Sequence, residues 1–129
     1  GYINFEKKEI QYINAGHNPP LLFSDGQIIL LDKGTTGLGM FDELPFLNQG
    51  SECFSNHASV FCYTDGITEL ENDEGDFFGT DNLKSFIAEH INSGTLEEFH
   101  QKLIAYLEQY RGSRNYSDDV TILSLRALQ

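Results

Sequence analysis

The stretch from Ser59 to Glu69 constrains the fold most, because an apolar run stops there at an acid and a glycine. Val60–Tyr63 contains only β-branched, aromatic and sulfur-containing side chains, without polar alternation. Such a run is typical of a strand covered on both faces, although an apolar run this short also occurs in buried helices. The polar residue Thr64 and the Asp65-Gly66 pair that follow favour the strand. The sequence therefore predicts a buried strand that delivers the carboxylate of Asp65 to a sheet edge.

A second pair of acids, Asp118 and Asp119, stands directly before another apolar strand pattern, Val120–Leu125. If the two strands lie antiparallel and close, Asp65 and Asp118 emerge at the same edge of the sheet. Two such carboxylates repel unless a cation lies between them or one is protonated, and no Lys or Arg adjoins either acid in sequence. A divalent cation resolves the repulsion, although each acid taken singly is also explained as a surface or turn residue.

The identity of that cation follows from the available ligands. Oxygen ligands suit Mg²⁺ or Mn²⁺, whereas Zn²⁺ and iron favour Cys and His, which are not clustered in this chain. Two such ions can lower the pKa of a water and orient it for attack on phosphorus, without a Ser or Cys nucleophile.

The first third of the chain has the pattern of antiparallel β structure. Glu9–Ala15 alternates as a strand would and runs into the constrained loop Gly16–Pro20. Leu21–Leu31 places two apolar runs around an Asp25-Gly26 turn, which predicts a hairpin. The glycines of Lys33–Phe41 match neither a Walker loop nor a dinucleotide fingerprint, so we interpret them as tight turns.

Two helices are predicted in the second half. Thr80 is expected to cap the first, and Thr95 with Glu98 forms a capping box for the second, which ends at Arg111-Gly112. The acidic run Glu71–Asp76 lacks the ligand spacing of a calcium loop and is interpreted as a solvated turn. The positions expected to face the core are Leu83, Phe86, Ile87 and Ile91 in the first helix and Leu96, Phe99, Leu103, Leu107 and Tyr110 in the second.

Charge and composition narrow the environment and the partners. The 129 residues include 20 acids against 8 Lys and Arg, a formal net charge of −12, which disfavours nucleic acid and anionic membranes. The two cysteines lack CxxC spacing and no apolar run reaches the ~18 residues of a membrane span, so a reduced, cytoplasmic setting is expected. The chain opens at Gly1 on a strand-like stretch without Met, which suggests a piece of a longer protein.

Five motifs occur in order along the chain: Tyr12–Leu21, Gly37–Gly39, Tyr63–Glu69, Phe78-Gly79 and Asp118–Ile122. Together they resemble the bacterial PP2C-type (PPM) serine/threonine phosphatases of the SpoIIE/RsbU family. The resemblance implies an α+β fold, the C-terminal portion of a PP2C-like αββα sandwich with antiparallel strands and two covering helices. It also implies two Mn²⁺ or Mg²⁺ ions between the sheets and a metal-activated water that attacks phosphoserine or phosphothreonine.

The resemblance assigns roles to individual residues. It implies Asp65 and Asp118 as two of the metal-binding aspartates, and it places Asp119 beside the ligands, where many eukaryotic relatives have Asn. Gly66 and Glu69 are motif residues that border the site. No side chain of the protein is expected to act as the nucleophile.

The chain also departs from the family pattern. The upstream metal-binding acids of the family have no counterpart, so residues 1–129 are interpreted as a single partial domain that lacks the N-terminal strands and is inactive alone. His17 stands where eukaryotic-type members have an acid linked to a third metal, so no third ion is expected. We interpret His17 as structural first, with a catalytic part as the alternative.

The resemblance further implies a partner and leaves rivals open. The substrate would be a phosphorylated regulator resembling anti-anti-sigma (STAS) proteins in sigma-factor control, with a sensor domain upstream and self-association through exposed strand edges. A haloacid-dehalogenase-type phosphatase is disfavoured because Tyr63 stands where its aspartyl nucleophile belongs. The alternative of another class is a non-catalytic, phosphatase-like module that binds a phosphoprotein or transmits a signal.

Overall fold

Nine short strands and three helices form the described part of the chain, residues 1–127, in this computed structural model. None of the helices in this range has the length and apolarity that a membrane crossing requires. The strands are β1 (Tyr2–Asn4), β2 (Glu9–Tyr12), β3 (Asn14–Ala15), β4 (Leu21–Ser24), β5 (Gln27–Leu30), β6 (Gly34–Thr35), β7 (Gly50–Cys53), β8 (Ser59–Tyr63) and β9 (Ile122–Arg126), and the helices are α1 (Asp65–Thr68), α2 (Gly79–His90) and α3 (Leu96–Arg111).

The chain divides into two units, the first made of Gly1–Cys62 with the residues from Leu125 onward, the second of Tyr63–Ser124. In the first unit β1, β2 and β7 form an antiparallel sheet, and β3 pairs with β6 in parallel. A four-stranded sheet has the order β5-β4-β8-β9.

The predicted hairpin is confirmed. Strands β4 and β5 pair antiparallel from Leu21 opposite Leu30 to Ser24 opposite Gln27. The turn residues Asp25 and Gly26 have φ angles of 51° and 77°, as a two-residue turn that matches the twist of the strands requires. The buried core beside this hairpin consists of Ile10, Tyr12, Leu22, Leu31 and Ala58.

The prediction of one strand over Glu9–Ala15 is wrong, because the chain changes sheets at Ile13. Strand β2 ends at Tyr12, and β3 pairs instead with β6, where Gly34 lies opposite Asn14. A Cβ on Gly34 would overlap the main chain of Asn14, so only glycine allows this approach.

Strand β8 was predicted to be buried on both faces, but only one face is fully buried. Ser59, Phe61 and Tyr63 are buried, whereas Val60 and Cys62 on the opposite face keep part of their surface accessible. The reason is a cavity of about 390 Å³ in the first unit, which both residues line.

The second unit carries the helices, and most of their predicted core positions are buried. The exceptions are Leu96 and Tyr110, at the two ends of α3, which are only partly buried. The buried residues Leu83, Phe86 and Ile87 face inward from α2. The capping box of α3 is confirmed, since Thr95 Oγ1 accepts from the Glu98 amide at 3.1 Å and Glu98 Oε2 accepts from the Thr95 amide at 2.9 Å. The inward residues of α3 are Phe99, Leu103 and Leu107, and the helix ends before Gly112.

The predicted cap at Thr80 is wrong. Helix α2 starts at Gly79, with Phe78 at the N-cap position and no side-chain cap. Thr80 lies inside the first turn, and its side chain forms a hydrogen bond with Tyr63. Phe78 is buried and packs edge-on against Tyr106 and Tyr110, with ring centroids 5.7 and 5.1 Å away.

Candidate functional site

Strand β8 ends where a single helical turn begins, and this junction positions Asp65. Thr64 is still extended, with φ of −89° and ψ of 162°, and Asp65 is the first residue of α1. Gly66 and Ile67 are buried while Asp65 is exposed, so the buried side of the turn fixes the backbone that carries the carboxylate. The Glu69 amide closes the turn by donating to the Asp65 carbonyl at 2.7 Å.

The segment before β9 is held against this junction by Thr64. The Thr64 hydroxyl donates to the Asp119 carbonyl at 2.8 Å and accepts from the Thr121 amide at 3.0 Å. The Thr64 amide donates to the Thr121 carbonyl at 3.1 Å. These three hydrogen bonds place the Asp118–Asp119 segment beside the start of α1.

Gly66 brings the two segments into direct contact. A Cβ at this position would overlap the carbonyl oxygen of Asp119 and lie 3.3 Å from that of Asp118. Because both neighbours are main-chain atoms, no side-chain rotation can make room for a larger residue. The structure therefore places Asp65 and Asp118 on adjoining backbone segments of the same unit.

The strands that carry these segments run in opposite directions. β8 and β9 are neighbours in the four-stranded sheet. Thr64 pairs with Thr121 at one end, and at the other the Ala127 amide donates to the Ala58 carbonyl at 2.8 Å. The two strands are thus antiparallel neighbours, which is the condition under which Asp65 and Asp118 emerge at the same edge of the sheet.

Both carboxylates are exposed and lack a cationic partner within the described residues. The Asp118 carboxylate accepts the Asp119 amide at 2.7 Å through one of its two oxygens. The four cations of the second unit are all engaged elsewhere: Lys84 with Asp81, Lys102 with Ser93, Arg111 with Glu108 and Arg114 with Glu71. The negative charge at the junction is therefore not offset by the side chains of this unit.

Glu69 and Asp119 also lie at the junction. Glu69 follows the last residue of α1 and is exposed, and Asp119 contributes its carbonyl to Thr64 while its own side chain faces solvent. No three His, Cys, Asp or Glu side chains in residues 1–127 are grouped so that they could hold a metal ion.

His17 belongs to the first unit, in the loop after β3. The Asn14 side chain holds this loop by accepting the His17 amide and donating to the His17 carbonyl, both at 2.8 Å. The His17 ring is exposed, and its Nδ1 lies 2.9 Å from the Asn18 carbonyl. Because a carbonyl only accepts, Nδ1 carries the proton in this contact.

The sequence reasoning missed the role of Thr64, whose hydroxyl joins the end of β8 to the segment before β9. Its signal was present, since a hydroxyl-bearing β-branched residue stands between the apolar run and the Asp-Gly pair. The bonds it makes, however, join residues 55 and 57 positions apart.

This arrangement offers two carboxylates to a hard cation. Oxygen donors that are exposed, fixed by main-chain packing and without a protein cation fit Mg²⁺ or Mn²⁺ as partial ligand sets that water or further acids complete. The four-residue α1 turn and the three bonds of Thr64 supply the rigidity.

Comparison with known proteins identifies relatives that are similar in sequence. The phosphoserine phosphatase RsbP of Bacillus subtilis (strain 168) is 28% identical over 119 residues, which are 91% of this chain and 27% of RsbP. The chain thus spans about a quarter of that relative.

Two solved structures show the same fold. The SiaA-PP2C domain of Pseudomonas aeruginosa matches with a TM-score of 0.79 at 22% identity, over 93% of this chain and 47% of that one. The RsbU and RsbW domains of Rv1364c from Mycobacterium tuberculosis match with a TM-score of 0.73 at 26% identity, over 98% and 35%.

The family model for Stage II sporulation protein E (SpoIIE) matches residues 1–128, almost the entire sequence. Together with the mixed α/β fold and its antiparallel sheets, this match shows that the chain belongs to the SpoIIE family of bacterial PP2C-type domains.

Proposed function

We propose that the protein carrying this chain is a metal-dependent phosphatase that hydrolyses phosphoserine or phosphothreonine in a regulatory protein. The observation that supports this most is the packing of Gly66 against the backbone of Asp118 and Asp119, which sets Asp65 and Asp118 on adjoining segments. A relative that is named a phosphoserine phosphatase supports the reaction class.

Asp65 and Asp118 are the residues that would hold Mn²⁺ or Mg²⁺. When bound, such ions supply a water of lowered pKa and offset the negative charge of the phosphoryl oxygens. The basic side chains of the second unit are engaged with other residues, so the two carboxylates are available for this role.

The surrounding residues position these acids. Thr64 and Gly66 hold the Asp118–Asp119 segment against α1, and Asp119 and Glu69 border the site with further negative charge. We assign His17 a structural role in its loop, where Asn14 and the Asn18 carbonyl fix it.

The partner would be a phosphorylated regulator similar to anti-anti-sigma (STAS) proteins, acted on in the cytoplasm under the control of a sensor domain elsewhere in the protein. Residues 1–129 alone would bind Mn²⁺ weakly and hydrolyse little, because two carboxylates leave most positions around a cation open. A phosphatase of this kind would reset a partner-switching pathway.

The test compares Mn²⁺-dependent hydrolysis of a phosphoserine regulator by the full-length protein and by its Asp65→Asn and Asp118→Asn variants. Each substitution keeps the shape of the side chain but removes its charge. Removing a residue that only hydrogen bonds to a metal ligand typically costs ~10–100-fold in metal affinity or activity. Loss of a ligand itself is expected to reduce kcat/KM by more than this. Asp42→Asn, in an exposed loop of the first unit, is the matched control and keeps full activity.

Full activity in both variants would overturn the assignment of the two acids. Absence of Mn²⁺-dependent hydrolysis in the unaltered full-length protein, with phosphoprotein binding retained, would instead support the non-catalytic signalling module.

A further inference from the structure

The turn between α1 and α2, residues 71–77, is tightly hydrogen bonded within itself. Glu71 and Phe77 form an antiparallel bridge. Asn72 accepts the Gly75 amide on its carbonyl at 3.0 Å and the Asp76 amide on its side-chain oxygen at 2.8 Å, and its own amide donates to Asp76 at 3.0 Å. These hydrogen bonds fix the conformation of the turn.

The 71–77 turn forms hydrogen bonds with the segment that follows α3. One carboxylate oxygen of Asp73 accepts both the amide of Ser113, at 3.1 Å, and its hydroxyl, at 2.7 Å. Beside it, Arg114 donates to Glu71 at 2.9 Å. Two consecutive residues of the segment are thus bound by the turn.

Gly112 shows how closely the Asp73 carboxylate approaches. A Cβ on Gly112 would overlap this carboxylate, so a larger residue here would require the Asp73 side chain to move away. The hydrogen bonds from Ser113 lower the pKa of Asp73, so the carboxylate is charged at neutral pH and its acceptor strength is greatest.

The same segment is anchored again on either side of Asp118. Tyr116 donates its hydroxyl to Glu108 at 2.9 Å, and the Arg111 guanidinium lies 5.1 Å from the centre of the Tyr116 ring. Beyond Asp118, the Asp119 carbonyl and the Thr121 amide bind Thr64. Asp118 therefore lies in a short segment that begins at Ser113, which Asp73 binds, and ends at Thr121, which Thr64 binds.

We propose that Asp73 is a positioning residue, which holds Ser113 so that the loop entering β9 presents Asp118 beside α1. This inference rests on the proposed function, since it concerns the placement of a proposed metal ligand. Asp73 touches no cation or substrate itself and acts through the main chain of residues 113–118.

The experiment uses the full-length protein and its Asp73→Ala, Asp73→Asn and Glu74→Ala variants. Glu74 lies in the same turn and, among residues 1–127, makes no hydrogen bond to Ser113. Binding of Mn²⁺ alone is measured by calorimetry, and hydrogen exchange of the amides of residues 113–121 is measured without metal. Because Asp73 is exposed, these variants are expected to fold, which far-ultraviolet circular dichroism checks.

Asp73→Ala is expected to raise the Kd for Mn²⁺ about tenfold, the lower end of the cost of losing an outer partner, and to speed exchange over residues 113–121. Asp73→Asn keeps an oxygen acceptor for Ser113 and is expected to restore most of both properties. Glu74→Ala is expected to match the unaltered protein. A matching Kd in Asp73→Ala and Glu74→Ala overturns the positioning role.

Failure of the proposed function has a different signature. If the unaltered full-length protein neither binds Mn²⁺ nor hydrolyses a phosphoserine substrate, the proposed function and the metal-related part of this inference are both overturned. The exchange rates still decide whether Asp73 holds the loop, since equal exchange in Asp73→Ala and the unaltered protein overturns that part as well.

Discussion

The hydroxyl of Thr64 and the carbonyl oxygen of Asp119 lie 2.8 Å apart, and the same hydroxyl accepts the Thr121 amide at 3.0 Å. At the end of β8, the Thr64 side chain thereby forms hydrogen bonds with the main chain before β9, at the point where the two strands stop pairing. Its geometry sets where Asp118 and Asp119 leave the sheet.

Thr64→Val removes two hydrogen bonds, each with a net contribution of about 0.5–1.5 kcal/mol, so the free energy of unfolding is expected to fall by about 1–3 kcal/mol. The larger effect is expected on function, as a higher Mn²⁺ concentration for half-maximal hydrolysis, because the Asp118–Asp119 segment loses its side-chain anchor. Urea unfolding and a Mn²⁺ titration of phosphatase activity measure the two effects.

Thr121→Val is the matched control for that substitution. Thr121 contributes only its main-chain amide and carbonyl to the contact with Thr64, so its hydroxyl is dispensable for this contact. If both valine variants shift the Mn²⁺ requirement equally, the hydroxyl of Thr64 is not the anchor.

Gly66→Ala is expected to separate the two segments, because the new methyl group would overlap the Asp119 carbonyl. Overpacking against main-chain atoms costs about 1–3 kcal/mol of stability. Gly79→Ala serves as the comparison, since an added Cβ there meets nothing within 4 Å although φ is 74°. It reports backbone strain alone, so it is expected to destabilise without altering the Mn²⁺ requirement.

Local patterns predicted the elements whose causes are local. The Asp25-Gly26 hairpin and the capping box of Thr95 depend on residues within a few positions of each other, and both are confirmed. The break at Ile13 was missed because it reflects a change of partner strand from β7 to β6, which no alternation pattern encodes.

The candidate site shows the same division. The two acids could be proposed as a pair from sequence, because Asp65 follows one apolar run and Asp118 precedes another. The residues that hold them could not. Thr64 bonds to Asp119 across 55 positions and Asp73 to Ser113 across 40, separations that no local pattern encodes. The turn that contains Asp73 is largely exposed, as predicted, but it also binds the segment after α3.

Thr95→Ala is expected to lower the free energy of unfolding by about 1 kcal/mol, the usual cost of losing a threonine N-cap. The substitution removes the oxygen that accepts the Glu98 amide at the start of α3. Thr95→Ser keeps that oxygen and is expected to retain most of the stability. Equal urea midpoints for the alanine variant and the unaltered protein would contradict the capping role.

The last prediction concerns acid stability and rests on Glu108 at the end of α3. Hydrogen bonds from Arg111, and then from Tyr116, lower the pKa of the Glu108 carboxyl below its ordinary value of 4.5. In the window between the two pKa values the unfolded chain binds more protons, so stability falls as the pH drops through it and is fully present above about 4.5.

Glu108→Gln lacks this titration, so its urea midpoint is expected to fall less steeply than that of the unaltered protein from about pH 6 to about pH 3. Glu74→Gln removes a carboxyl that makes no hydrogen bond with Arg111 or Tyr116 in the described chain, and it is expected to keep the unaltered slope. A parallel fall in all three proteins would show that the bonds of Glu108 do not couple to folding.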